Sequence, residues 1–142
     1  MYRFSILLIA LLACSSALDI SAPELRRSVE KGTAQVIIDA RAIEEYQVSH
    51  LPNALFHETI DVDSLKGKEI VVYCSLGKRS AALAEKLRDQ GLNKVRNLEG
   101  GIFTWANRGY PLYRKAQRVS VVHPFSNKWK HRLNQQYWPK TF

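Results

Sequence analysis

The feature that most constrains this chain is an apolar run that stops on a cysteine. Ile70, Val71, Val72 and Tyr73 form a buried-type β stretch, and the next residue is Cys74. The segment Ser80–Gln90 then carries a helical pattern. Leu83 and Leu87 share one face, while Glu85, Lys86, Arg88 and Asp89 suit solvent and Gly91 suits the C-terminal cap. A strand, a tight loop and a helix start bring backbone N–H groups and the positive end of a helix dipole around whatever occupies the loop. Such a setting, with Lys or Arg nearby, lowers a cysteine from about 8.5 to roughly 3.5–7.5. Cys74, followed by Lys78 and Arg79, is therefore expected to be a nucleophile, the competing reading being an inert core cysteine. Gly77 permits positive φ where the loop curls, and Ser75 and Ser80 are placed to hydrogen-bond within it.

Spacing narrows the chemistry. Four residues, Ser75, Leu76, Gly77 and Lys78, separate Cys74 from Arg79. A cysteine-based phosphatase loop has one more, so this cradle suits a single charged sulfur better than a tetrahedral phosphate.

Elsewhere the chain alternates strand-like and helix-like segments. Strands are expected at Leu18–Ile20, Gln35–Asp39, Ala54–His57, Glu69–Tyr73 and Val95–Leu98. Helices are expected at Ala22–Lys31, Ala42–Val48, Ser80–Gln90 and Gly101–Asn107, with one helical turn in Asp61–Leu65. That alternation predicts an α/β fold with a parallel sheet covered on both faces, and a ligand site at the carboxyl ends of its strands. Asp39, at such an end, falls on the same sheet edge as Cys74. Arg41 and Glu45 have the spacing of a helix-side ion pair.

The ends differ from the middle. A basic start, an apolar core from Ile6 to Ala13 and small residues up to Ala17 read as a signal peptide over residues 1–17. Leu11–Cys14 also resembles a lipobox, which would make Cys14 the lipidated first residue. Either reading implies export, to the periplasm or as a membrane-attached lipoprotein. Without the leader one thiol remains, so no disulfide within the chain is expected and Cys74 cannot be resolved by a second cysteine in the chain. The 13 acidic residues all lie at or before Glu99, and the net charge of +8 is carried after Gly100. Residues 113–142 thus form a basic extension in which Phe125, Trp129, Tyr137, Trp138 and Phe142 interleave with cations. The extension either packs its aromatics on the domain or meets a membrane surface or a protein; nucleic acid is not expected of an exported protein. Val119–Val122 reads as an edge strand. His50 is a weak candidate base, and no metal-type spacing involves His57, His123 or His131.

Four segments together resemble the rhodanese-like sulfurtransferase family. Cys74–Ser80 (C-S-L-G-K-R-S) resembles its active loop, Asp39–Tyr46 its D-x-R-x-x-x-E-Y run, and Ser49–Ala54 its G-H-I-P-G-A, with Ser49 and Asn53 in place of Gly. Leu98–Trp105 with Gly109-Tyr110-Pro111 resembles its L-x-G-G-x-x-x-W-x-x-x-G-Y-P. The resemblance implies a five-stranded parallel sheet with helices on both faces over residues 18–112. It also implies a persulfide on Cys74, formed from an anionic donor such as thiosulfate and passed to cyanide or a thiol. Asp39 and Arg41 are then supporting residues, and no metal or organic cofactor is expected. A persulfide carrier to one protein, or a non-catalytic binding module, are the alternatives.

Overall fold

A computed structural model of the chain describes residues 18–33 and 35–141. The leader, including Cys14, lies outside them. Five strands, β1 (Asp19–Ile20), β2 (Gln35–Asp39), β3 (Leu55–Phe56), β4 (Glu69–Tyr73) and β5 (Val95–Leu98), pair in the order β1-β5-β4-β2-β3. Every pairing is parallel. The helices are α1 (Ala22–Glu30), α2 (Ile43–Val48), α3 (Lys78–Asp89) and α4 (Gly101–Asn107).

Alternation along β4 explains the two layers of helix. Val71 and Tyr73 join a core with Leu25 of α1 and Ile102 and Trp105 of α4. Ile70 and Val72 join a second core with Ala84 and Leu87 of α3. A strand with both faces buried must be apolar throughout, and each fully buried Val or Leu contributes about 1.5–3 kcal/mol. Trp105, fully buried, donates its indole N–H to Pro111 O at 2.8 Å, so its one polar atom is satisfied. Among the described residues no helix is long and apolar enough to cross a membrane.

Local chemistry sets the element ends. The Ser21 hydroxyl accepts from Glu24 N at 3.3 Å and caps α1, with Pro23 in the first turn. In the Ser49–Ala54 turn, Ser49 at φ −168° is ordinary extended backbone, while Asn53 takes φ 54°. Asn53 thus supplies the left-handed conformation that glycine would give.

Two expectations need correcting. Helix α3 starts at Lys78 rather than Ser80, because Gly77 at φ 109° is its N-cap and lets the chain enter the helix early. Lys78 and Arg79 therefore stand in its first turn. The strand expected at Val119–Val122 ends at Val119 instead of beginning there. Strands β6 (Leu112–Arg114) and β7 (Gln117–Val119) form an antiparallel hairpin. Val119 finds its partner, Leu112, across the turn made by Lys115 at φ 54°, and paired backbone bonds between His50 and Tyr113 fasten the hairpin to the Ser49–Ala54 segment.

The basic extension packs on the domain. Val122, Leu133 and Tyr137 are buried in the same core as α4, with Trp129 and Trp138 partly buried against it. Asn107, at the end of α4, donates to Arg132 O at 2.9 Å and accepts from Asn134 N at 2.8 Å.

Candidate active site

Cys74 lies immediately after β4, 2 % exposed. Its carbonyl and that of Ser75 accept from Ile102 N at 2.8 Å and Phe103 N at 3.2 Å, at the start of α4. With both carbonyls engaged by α4, Gly77 N–H reaches Sγ at 3.1 Å. Gly101 makes this approach possible. A Cβ there would sit 2.3 Å from Cys74 O and 2.6 Å from Ser75 O, and its φ is +57°. Gly101→Ala is expected to cost at least about 1–3 kcal/mol, from overpacking and left-handed backbone together, and to slow alkylation of Cys74. Urea unfolding and iodoacetamide kinetics on one sample read both effects.

The thiol sits below its ordinary pKa. Burial opposes ionisation, but the Ser80 hydroxyl and the N–H groups of Ser80, Gly77 and Leu76 outweigh it. Hydrogen bonds thus lead the stabilisation of the thiolate, and Ser80 adds one amide beyond the loop itself. Thiolate reacts and thiol does not, so the alkylation rate should rise with pH to a plateau. Its midpoint is expected below that of a free cysteine measured alongside, and Ser80→Ala should move it upward.

Ser80 is tied to a residue that the sequence reading missed. Its Oγ lies 3.3 Å from Cys74 Sγ, 3.2 Å from Gly77 O and 2.6 Å from Asn97 Oδ1. One hydroxyl proton cannot serve all three; beside a neutral thiol it points to Asn97, and the stronger pull of a thiolate turns it to sulfur. Asn97 Nδ2 meanwhile holds Gly77 O at 3.0 Å. The available signal was a polar residue near the carboxyl end of β5, the strand beside β4.

The Arg41–Glu45 pair does not form. Arg41 precedes the helix, so helix-face spacing does not apply to it. It turns back to Asp39, with Nη2 at 2.7 Å and Nε at 2.9 Å, and donates to Ser49 O at 2.6 Å. Asp39 also accepts from Arg41 N and, at 2.6 Å, from the Tyr73 hydroxyl, which in turn accepts from Leu51 N. Burial disfavours the Arg41 charge, but Asp39 outweighs it and raises the guanidinium pKa. Asp39 therefore ties the end of β2 to that of β4 and to the Ser49–Ala54 segment.

Glu45 belongs to the cysteine loop instead. It accepts from Ala42 N at 2.9 Å, from both Arg79 Nη atoms at 2.7 and 2.9 Å, and from the Ser75 hydroxyl at 3.1 Å. Burial pushes the carboxyl up, but Arg79 and the Ala42 N–H outweigh it and hold it below its usual range. The other face of Arg79 lies 4.4 Å from the ring centre of Phe125. Lys78 is exposed at the rim. His50 bonds Leu51 O through Nδ1 and stacks on Tyr46, outside the set around the cysteine.

A cavity of about 290 Å³ opens over the sulfur, lined by Cys74, Ser75, Leu76, Lys78, Arg79, Phe125 and Trp129. The last two come from the extension. Among the described residues no group of three His, Cys, Asp or Glu side chains is placed to hold a metal ion.

A loop of amides closed on one cysteine, at the carboxyl end of the central strand of a parallel sheet, defines an α/β domain built around a single thiol. The chain belongs to the rhodanese-like domain family, whose model matches residues 21–108. It is 32 % identical over 92 residues to the adenylyltransferase and sulfurtransferase UBA4 of Candida albicans, which covers 56 % of this chain and 21 % of that one. It is 29 % identical over 99 residues to the putative sulfur carrier protein YrkF of Bacillus subtilis, covering 66 % and 54 %. The chain thus spans between a fifth and about half of these relatives. Among solved structures, the rhodanese-related protein of Thermoplasma volcanium matches with TM-score 0.57 and 28 % identity, over 68 % of this chain and 98 % of that one.

Proposed function

We propose that the protein is a sulfurtransferase that carries sulfane sulfur as a persulfide on Cys74. The observation that carries this reading is the sulfur itself: buried, and hydrogen-bonded by loop amides and Ser80 so that its anion is favoured. The thiolate attacks the outer sulfur of a donor R–S–S⁻, of which thiosulfate is the simplest inorganic example. A bond forms from Cys74 Sγ to that sulfur, the donor's S–S bond breaks, and its electron pair leaves with sulfite or RS⁻. The acceptor, cyanide or a thiolate, then attacks the outer sulfur of the persulfide and returns the pair to Cys74 Sγ. This is covalent catalysis in two displacements, and the amides stabilise negative charge on sulfur at both ends of it. Thiocyanate formation from cyanide with thiosulfate or an organic persulfide as donor tests it, and a wild-type protein that transfers sulfur from neither would contradict it. The apolar run from Ile6 to Ala13 supports export, which the mass of the mature N-terminus would check.

A further inference from the structure

The cavity over Cys74 is poorly matched to an inorganic dianion. Its about 290 Å³ lies near the lower end of pockets that hold small organic ligands, and exceeds what a five-atom anion needs. Its walls are the rings of Phe125 and Trp129, the Leu76 side chain and the cysteine loop. Arg79, half-buried beside it, is already neutralised by the bidentate bonds to Glu45 and covered by Phe125. A dianion entering here meets aromatic carbon and an Arg79 whose charge Glu45 already balances, which leaves exposed Lys78 as the other cation of the lining.

The aromatic wall is held in place. Phe125 takes φ 66°, a conformation that costs a non-glycine residue free energy, and its N–H donates to His123 Nδ1 at 3.0 Å. Trp129 N donates to Ser126 O at 3.1 Å, and the flanking Val122 and Leu133 are in the core. Both rings lie beyond residue 108, where the family match ends.

We infer that Phe125 and Trp129 make Cys74 selective for organic persulfides with an apolar body over inorganic thiosulfate. The inference rests on the sulfur-transfer reading. In the loading step Cys74 thiolate bonds to the terminal sulfur of R–S–SH, the donor's S–S bond breaks, and RS⁻ departs with the electron pair. The proton remains on the persulfide. The R group rests against the two rings that line the cavity, where aromatic contact favours it.

The test compares single-turnover loading of Cys74 by benzyl persulfide and by thiosulfate, read by mass, in wild type, Phe125→Ala and Trp129→Leu. Benzyl persulfide should load wild type at least about tenfold faster, and each variant should cut that preference by about tenfold. Phe125 is 43 % exposed, so its variant is expected to fold. Should Trp129→Leu unfold, protection of wild-type Cys74 from iodoacetamide by benzyl methyl sulfide replaces it; protection supports the inference and its absence opposes it. Equal loading by both donors, or an unchanged ratio in Phe125→Ala, overturns the selectivity while leaving sulfur transfer standing. A Cys74 that alkylates readily but loads from neither donor overturns both.

Discussion

Cys74→Ser is expected to lower sulfur transfer from thiosulfate to cyanide by at least about 10³-fold, because the loop stabilises an anion that serine does not form near neutral pH. The hydroxyl fits the space of the thiol, and Gly77 N–H and Ser80 remain to bond it. Stability should therefore change by less than about 1 kcal/mol, within the range of isosteric core changes. The pairing of those results is what matters. Lost activity with an unchanged urea midpoint assigns the chemistry to sulfur, whereas retained activity would remove Cys74 from the mechanism.

Asp39→Ala should have the opposite profile. Asp39 and Arg41 are both fully buried, and the carboxylate holds Nε, Nη2 and the backbone N–H of Arg41 together with the Tyr73 hydroxyl. Its removal leaves a buried guanidinium with the Ser49 carbonyl as its remaining hydrogen-bond acceptor. Breaking such a pair costs about 3–5 kcal/mol, a large share of the 5–15 kcal/mol by which domains are stable. By contrast Glu30→Ala, which removes the solvent-facing pair with Arg26, should cost about 0.3–0.5 kcal/mol. Urea midpoints of the two variants measured together separate buried from exposed electrostatics, and equal midpoints would contradict the role given to Asp39.

The sheet was legible because its strands are buried on both faces. Gln35–Asp39 and Glu69–Tyr73 hold apolar, β-branched runs between turn residues and coincide with β2 and β4, while Val95–Leu98, which keeps Val and Leu only at its ends, coincides with β5. Gly101–Asn107 coincides with α4 for a similar reason, since glycines mark its start. Placement of the cysteine loop followed from the strand that feeds it. What depended on tertiary geometry was not legible. Glu45 and Arg79 are 34 residues apart and meet only because α2 and α3 converge at the loop. The i,i+4 spacing of Arg41 and Glu45 suggested a pair that cannot form before a helix has begun. Asn97 gave only the weak signal of a polar residue in a strand. Phe125 and Trp129 were legible as aromatics among cations, but their arrival over Cys74 depends on Val122, Leu133 and Tyr137 entering the core. Neither propensity nor charge pattern encodes that return.

The most direct test is the intact mass of the wild-type protein after incubation with thiosulfate and, separately, with an organic persulfide. The account predicts a gain of one sulfur atom, located on Cys74, removed by a thiol reductant and absent from Cys74→Ser. A protein whose Cys74 is alkylated by iodoacetamide yet gains no sulfur from either donor would contradict it.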